Sequence, residues 1–256
     1  MPVELKGNIL VTGANRGLGL ELVKQLAETT GQEAHIYACS REPEGSRTEA
    51  LRQLTTRHPG KITIIKLDVA DEESISAAVQ AVQDQIGDAG LNILINNAGI
   101  RKPALSGALS ATKKNDMMEV YETNVVGPFT IAKVGLFSAE PRFPDASIHF
   151  SAIINISTAI SSIEKCPETF SAAQMYPYRI SKAALNMLTR CQAEDFKTHN
   201  IVVTAIHPGW VQTEMGGENA PLTTVDSVLG MLSVISSLSN KDRGMLLDWQ
   251  GNTIPW

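Results

Sequence analysis

One pair of side chains in the sequence has the types and spacing to move a proton to or from a carbonyl group. Tyr178 and Lys182 are four residues apart, so on a helix they share one face. A neighbouring ammonium stabilises phenolate and lowers the pKa of a tyrosine from its ordinary value of about 10. The spacing predicts a general acid/base at Tyr178, with Lys182 as its activator. Taken alone, it also fits a core tyrosine beside a surface lysine.

A glycine-rich segment near the amino terminus is typical of a turn that binds a pyrophosphate. Residues 12–19 read TGANRGLG and lie between a predicted strand and a predicted helix. Such glycines allow a tight turn, close approach of the backbone to the ligand, and close helix–strand packing. The helix N-terminus then attracts the phosphates. A tight turn with no ligand is the alternative, but the position after the first strand favours dinucleotide binding.

The end of the second predicted strand favours NADP (NADPH) over NAD. This strand ends at Ser40-Arg41 and carries no acid that could bind the ribose hydroxyls. Arg41 is placed to meet a 2′-phosphate, and Arg16 offers a second cation inside the glycine turn. The alternative is that both arginines are ordinary solvated side chains.

Short apolar runs alternate with amphipathic segments along the whole chain. The predicted strands are residues 8–12, 34–40, 62–67, 91–96, 153–157, 201–207 and 245–247. Several are continuously apolar, as in strands buried on both faces of a parallel sheet. Helices are predicted after the glycine turn, from Asp71 as N-cap, over 115–137 and over 177–197. The fold class is therefore α/β: one doubly wound (Rossmann) parallel sheet of about seven strands with helices on both faces.

Composition excludes several classes of protein. The chain has 256 residues and a net charge of −5, which leaves no basic excess for nucleic acid. Three cysteines are too few and too scattered for a disulfide framework or a zinc site, so no metal is expected. No apolar run approaches the ~20 residues of a membrane span, and no signal-peptide core is present. We expect a single cytoplasmic domain over 1–256, with no membrane partner.

Several motifs together resemble the short-chain dehydrogenase/reductase family. Besides the glycine turn and YRISK at 178–182, these are NNAG at 96–99, YETNVVG at 121–127, NIST at 155–158 and HPGWVQT at 207–213. Their order and spacing match across essentially the whole chain. Within the family, the continuation HPGWVQTEMGG and the segment YPYR at 176–179 are similar to sniffer-type carbonyl reductases and C-factor proteins.

The resemblance implies a role for each matching position. The catalytic set is Asn124, Thr158, Tyr178 and Lys182, with Asn124 holding a relay water. Tyr178 and Lys182 are also cofactor-binding residues, Lys182 through the nicotinamide ribose hydroxyls. The remaining cofactor contacts are Gly13, Asn15, Arg16, Gly17, Leu18, Gly19, Ser40, Arg41, Asp68, Val69, Asn97, Ala98, Gly99, Pro208, Gly209, Val211 and Thr213. Taken singly, Asp68 also fits a turn acid and Asn124 a polar mid-helix residue.

Two features depart from the family pattern. The second serine of the strand-five motif is replaced by Thr158, whose hydroxyl can still polarise a carbonyl. Ser157 could replace it only if the strand end is rotated, because neighbouring strand residues face opposite ways. The stretch 159–175 is longer than usual and is predicted as a loop that either lines the active-site mouth or is a neutral insertion.

The resemblance implies a substrate lid after the sixth strand, around residues 209–226; the Gly216-Gly217 pair can act as its hinge, and Trp210 and Met215 offer an apolar surface. The resemblance implies reduction of small-molecule ketones, aldehydes or quinones. The alternative is an NADP(H)-binding signalling or sensor protein with vestigial catalysis. A homodimer or homotetramer through the two long helices is also expected from relatives.

Overall fold

Seven strands form one parallel sheet. The computed structural model describes residues 5–103, 107–134 and 151–256, and within them the strand order is β3-β2-β1-β4-β5-β6-β7, with every neighbouring pair parallel. The strands are β1 (Gly7–Val11), β2 (Ala34–Ser40), β3 (Ile62–Lys66), β4 (Ile93–Asn96), β5 (Ser151–Ile156), β6 (Ile201–His207) and β7 (Leu246–Asp248). The predicted doubly wound α/β fold is confirmed.

The sheet is covered by helices on both faces. Alternate residues of β1 show this, because Ile9 and Val11 join the core beneath one helical layer while Leu10 joins the other core. Helices α1 (Gly17–Thr29), α2 (Glu49–Arg57) and α8 (Thr224–Ser237) contribute buried side chains to the first core. Helices α3 (Glu72–Ile86), α5 (Gly127–Lys133) and α7 (Tyr176–Asp195) contribute to the second.

Local sequence signals place some of these helices correctly. The Asp71 side chain accepts a hydrogen bond from the Glu73 amide at 3.0 Å, so it is the N-cap that the sequence predicts for α3. In the described part of the chain, no helix is long and apolar enough to cross a membrane.

The predicted helix over 115–137 is not continuous. Helix α4 (Lys114–Tyr121) runs into a π-helical turn (Glu122–Val126), and α5 follows; residues 135–137 lie outside the described residues. The wider turn aims the Asn124 side chain away from its own helix, toward Ile100 and Ser181. Hydrophobic periodicity does not register this single-residue insertion.

The stretch 159–175 has more structure than the loop predicted from the sequence. It contains a 3₁₀ turn (Ala159–Ser161) and the short helix α6 (Cys166–Thr169). Pro167 in the first turn of α6 suits a helix start, because the missing amide would have no intrahelical partner there.

Candidate active site

The glycine turn connects β1 to α1 at the carboxyl edge of the sheet. Gly13 has φ +64°, a left-handed conformation that side chains disfavour. A Cβ on Gly19 would lie 2.1 Å from the Gly13 carbonyl oxygen, so only glycine lets helix and turn pack this closely. The turn lies where the strand order reverses between β1 and β4, which is where doubly wound sheets bind ligands.

Thr12 and Asn97 hold the glycine turn against the end of β4. The Thr12 hydroxyl accepts hydrogen bonds from the Asn97 and Ala98 amides at 3.0 and 2.9 Å. In return, the Asn97 side-chain amide donates to the carbonyls of Thr12 and Gly13 at 2.9 and 3.1 Å. Sequence reasoning missed Thr12, although a hydroxyl directly before the first glycine was a signal. The Asn97 side chain shapes the turn rather than facing the cleft.

The adenosine side contains one exposed cation at the end of β2. The Ser40 hydroxyl is buried and lies 3.2 Å from Thr48 Oγ1, so it supports the loop. Arg41 is exposed and forms no ion pair within the described residues. Asp68 accepts a hydrogen bond from the Ala70 amide at 3.0 Å, which gives it a turn role as well as its predicted place beside an adenine. Val69 is buried next to it.

Arg16 pairs with an acid of the predicted lid. It lies directly before α1, and its guanidinium contacts the Glu214 carboxylate. Thr213 lies beside the same turn, because a Cβ on Gly17 would be 3.6 Å from Thr213 Cγ2. The structure therefore brings the segment after β6 onto the glycine turn. Asn15 and Leu18 lie in or directly after that turn.

The segment after β6 forms a compact turn. The Trp210 indole donates to the Gly216 carbonyl at 2.8 Å, and the Gly216 amide donates to Thr213 Oγ1 at 3.0 Å. Val211 is buried and Gly209 has φ +87°. The Pro208 carbonyl accepts from the Ser227 hydroxyl at 2.6 Å, which fixes the turn to α8. Residues 224–226 of the predicted lid belong to α8.

A histidine at the end of β6, half-buried overall but with its Nδ1 atom buried, was not predicted. His207 Nδ1 has no hydrogen-bond partner among the described residues. Burial lowers the pKa of His207 to about 4, although the nearby Asp248 opposes this shift. His207 is therefore neutral at physiological pH.

Asn124 anchors the chain that follows β4. It is fully buried; its Oδ1 accepts from the Ile100 amide at 2.9 Å, and its Nδ2 donates to the Ile100 carbonyl and to Ser181 Oγ, both at 3.0 Å. Both amide hydrogens are therefore in use, so the predicted relay water cannot bind through them. A Cβ on Gly99 would lie 3.3 Å from Asn124 Oδ1 and 3.6 Å from Lys182 Nζ, so Gly99 packs close to both side chains.

The two hydroxyls at the end of β5 have different surroundings. Ser157 is buried and donates to Asn186 Oδ1 at 2.6 Å, within a cluster that includes Ser161. The Thr158 hydroxyl has no hydrogen-bond partner within the described residues, while its carbonyl accepts from Ser161. The hydroxyl left for a substrate is therefore that of Thr158, which supports its predicted role over that of Ser157.

Tyr178 and Lys182 lie together on α7. Lys182 Nζ is 5.8 Å from the centre of the Tyr178 ring and donates to the Ile156 carbonyl at 2.6 Å. This bond ties the lysine to the end of β5, two residues before Thr158. The predicted sharing of one helix face is found in the structure.

The prediction that the pKa of Tyr178 falls below its ordinary value of about 10 is wrong for the protein alone. Burial raises the pKa of Tyr178 to about 12, and the positive charge that opposes the rise belongs to Arg101. Burial also lowers the pKa of Lys182 to about 8. Both shifts have one cause: the pocket disfavours charge on either group more than their proximity favours it. At pH 7 Tyr178 therefore holds its proton and is a hydrogen-bond donor.

The residues present fit a dinucleotide. The glycine turn leaves no room for a Cβ at Gly19, α1 directs its N-terminus toward the turn, and the turn lies at the strand-order reversal. The described residues contain no group of three or more His, Cys, Asp or Glu side chains that could hold a metal ion.

Comparisons with known proteins agree with this geometry. A model of the short chain dehydrogenase family matches residues 7–222. An NADPH-bound carbonyl reductase from chicken fatty liver is 40% identical and superposes with a TM-score of 0.92 over 100% of this chain and 96% of that one.

Two further proteins are similar to this chain. The carbonyl reductase Sniffer of Drosophila melanogaster is 32% identical, with a TM-score of 0.88 over 98% of this chain and 100% of that one. The protein C-signal of Myxococcus xanthus is 36% identical over 166 residues, which are 65% of this chain and 93% of that protein.

Proposed function

This chain belongs to the short-chain dehydrogenase/reductase family, and we propose that it is an NADPH-dependent carbonyl reductase that acts on ketones, aldehydes or quinones. The observation that carries the proposal is that Lys182 lies beside Tyr178 on α7 and donates to the Ile156 carbonyl, two residues before Thr158, at the carboxyl edge of the sheet that holds the glycine turn. Likeness to the NADPH-bound carbonyl reductase from chicken fatty liver supports the choice of cofactor and substrate class.

Thr158 and Tyr178 have different roles at the carbonyl oxygen. When bound, NADPH supplies a hydride to the carbonyl carbon. Thr158 donates a hydrogen bond from its otherwise unpartnered hydroxyl to the substrate oxygen. Tyr178, which is protonated at pH 7, gives that oxygen a proton as negative charge develops on it. The outcome is an alcohol.

Lys182 and Asn124 support this proton transfer. The Lys182 ammonium stabilises the phenolate left on Tyr178 and is itself oriented by the Ile156 carbonyl. Asn124 fixes the backbone at Ile100, and its contact with Ser181 links the segment after β4 to α7. Since the Asn124 side-chain hydrogens are in use, we propose that its main-chain carbonyl, in the π-helical turn, holds the relay water.

The exposed Arg41 is the residue we propose to select NADPH over NADH. Arg16 supplies a second cation, and its contact with Glu214 competes with any phosphate that approaches. The proposed substrates are neutral carbonyl compounds.

The function is tested by measuring NADPH oxidation against a panel of quinones, dicarbonyls, aldehydes and ketones, with NADH run in parallel. We expect turnover with NADPH and little with NADH, and a smaller preference for NADPH in Arg41→Ala. Protein that binds NADPH but turns over nothing in the panel would contradict the reductase assignment.

A second candidate function has two specific observations in its favour. The similarity to C-signal, together with Thr158 in place of the usual serine, fits an NADP(H)-binding signalling protein. It differs from the reductase in one observable respect: its biological effect would survive loss of Tyr178. The free Thr158 hydroxyl and the paired Tyr178 and Lys182 favour the enzyme.

A further inference from the structure

Arg179 places a buried cation directly after Tyr178. It is 7% exposed, and no carboxylate pairs with it among the described residues. A buried charge of this kind is costly unless its hydrogen bonds are satisfied. Its presence in the catalytic helix therefore indicates a specific task.

Among the described residues, the Arg179 guanidinium makes its side-chain contacts with one segment, residues 163–175. Nε donates to the Ala173 carbonyl at 2.7 Å, Nη1 lies 3.3 Å from Cys166 Sγ, and Nη2 contacts Thr169 Oγ1. The guanidinium carbon also lies 5.7 Å from the centre of the Phe170 ring. The planar, multidentate group thus binds the segment at four residues.

The two ends of this segment adjoin the two groups that act on the substrate oxygen. It begins a few residues after Thr158 and reaches the start of α7 just before Tyr178. At that junction Met175 has φ +33°, an unfavourable left-handed conformation for a side chain with a Cβ. A Cβ on Gly107 would lie 2.3 Å from Met175 Cα, so Gly107 packs tightly against this junction.

We propose that Arg179 is a positioning residue for carbonyl reduction. Its guanidinium holds segment 163–175 against α7 and thereby sets the separation of the Thr158 and Tyr178 hydroxyls and one wall of the carbonyl pocket. The inference rests on the proposed function and deepens it. It also assigns the long stretch between Thr158 and Tyr178 to the active-site mouth rather than to a neutral insertion.

The test uses Arg179→Met and Arg179→Lys, with Arg190→Met as matched control. Arg190 lies on the same helix but is exposed. All variants are made in a Cys191→Ser background, since Cys191 is exposed whereas Cys39 is fully buried. Iodoacetamide labelling of half-buried Cys166 then reports whether the segment stays in place, independently of turnover.

We expect Arg179→Met to raise KM for carbonyl substrates about tenfold or more and to speed Cys166 labelling by a similar factor, with the Kd for NADPH within about twofold. Arg179→Lys keeps the charge but lacks the planar, multidentate guanidinium. Its KM and its Cys166 labelling rate should therefore lie between those of Arg179→Met and the parent. Arg190→Met should match the parent in all three measurements.

Thr169→Val removes a partner on the segment side and should shift KM and labelling in the same direction as Arg179→Met. It keeps the proposal testable if Arg179→Met does not fold. Faster labelling with unchanged KM would overturn the positioning role, and so would a raised KM with unchanged labelling. If the parent shows no turnover, the proposed function fails, while unchanged labelling would separately disprove the hold on the segment.

Discussion

At the residue scale, neighbouring hydroxyls in this site have separate tasks. Ser157 and Thr158 are adjacent, yet one is bonded inward to Asn186 and the other has no partner within the described residues. The extended backbone at Thr158 is the physical reason, because successive side chains on extended chain face opposite ways. Which of the two hydroxyls stays free is therefore decided by Asn186, which is remote from the NIST motif in sequence, and by Ser161, which follows the motif.

This division predicts opposite effects for two substitutions. Thr158→Val keeps the side-chain shape and should lower kcat/KM by about 100-fold or more, with little change in stability. Ser157→Ala should lower the free energy of unfolding by about 1–3 kcal/mol, because Asn186 loses a buried partner, and should keep most of the turnover. Steady-state kinetics and urea unfolding of both variants check this. The reverse pattern would assign the substrate hydroxyl to Ser157.

We expect the buried Lys182 to lower the free energy of unfolding at neutral pH. Its folded pKa of about 8 lies below the ordinary 10.5, so the unfolded chain binds the proton more tightly. Below pH 8 the folded state carries a buried ammonium, and this cost disappears as the pH rises from 8 to 10.5. Lys182→Met also removes the donor to the Ile156 carbonyl. We expect the variant to be more stable than the parent by about 1–2 kcal/mol at pH 7.

The pH dependence separates this effect from simple repacking. The advantage of Lys182→Met should shrink between pH 8 and 10, and its turnover should be lost at every pH. Lys197→Met, which alters an exposed lysine just after α7, should stay within about 0.5 kcal/mol of the parent. A Lys182→Met protein that is less stable than the parent at pH 7 would show that the ammonium stabilises the fold.

At the scale of elements, the sheet brings the cofactor turn and the catalytic helix to one edge. Strands β1, β4 and β5 are neighbours, and the segments that leave their carboxyl ends carry the glycine turn, Asn97 and Thr158. Parallel pairing alone produces this convergence, because every strand ends at the same edge. Helix α7 then adds Tyr178 and Lys182, joined to β5 through the Ile156 carbonyl.

The glycine turn gives a prediction at this scale. In Gly19→Ala the new methyl group would lie 2.1 Å from the Gly13 carbonyl oxygen and 2.6 Å from Asn97 Nδ2. We expect the free energy of unfolding to fall by about 1–3 kcal/mol and the Kd for NADPH to rise more than tenfold. Thermal melts and fluorescence titration with NADPH measure the two effects.

A second glycine provides the control. Gly60 has φ +77° with nothing within 4 Å of an added Cβ, so Gly60→Ala should cost about 1 kcal/mol from backbone strain and leave NADPH affinity unchanged. Equal NADPH affinity in Gly19→Ala and Gly60→Ala would mean that the turn does not hold the cofactor.

The sequence carries enough information for the sheet and its edge, but not for the chemistry within the pocket. Apolar runs predicted β2 and β6 with their observed bounds, and Asp71 marked the start of α3. The π-helical turn was missed because hydrophobic periodicity continues through it. The direction of the Tyr178 pKa shift was wrong because burial is a tertiary property, and it outweighs the lysine four residues away.

At the scale of the whole molecule, α4, α5 and α7 leave apolar side chains in solvent. The exposed residues are Met118, Tyr121, Phe129, Ile180 and Met187. Met118 and Tyr121 are three residues apart on α4, and Ile180 and Met187 are seven apart on α7, so each pair lies along one helix face. We propose that the surface that carries these five side chains pairs with the same surface of a second copy across a twofold axis.

The pairing predicts a mass of twice 27.6 kDa in sedimentation equilibrium at micromolar concentration. Met187→Glu places a charge on this surface and should shift the protein to monomer. Leu229→Glu, on α8 at the other layer of the molecule, should leave the mass unchanged. A monomeric parent protein would contradict the proposed dimer.

The reductase assignment is tested most directly by comparing the parent protein with Tyr178→Phe. Kd for NADPH and kcat for the best carbonyl substrate are measured on the same preparations. We predict that the phenylalanine variant folds, binds NADPH with a Kd within a few-fold of the parent, and loses at least about 100-fold in kcat, since only the proton donor is removed. Turnover at the parent rate would contradict the assignment of Tyr178 as the acid that completes carbonyl reduction.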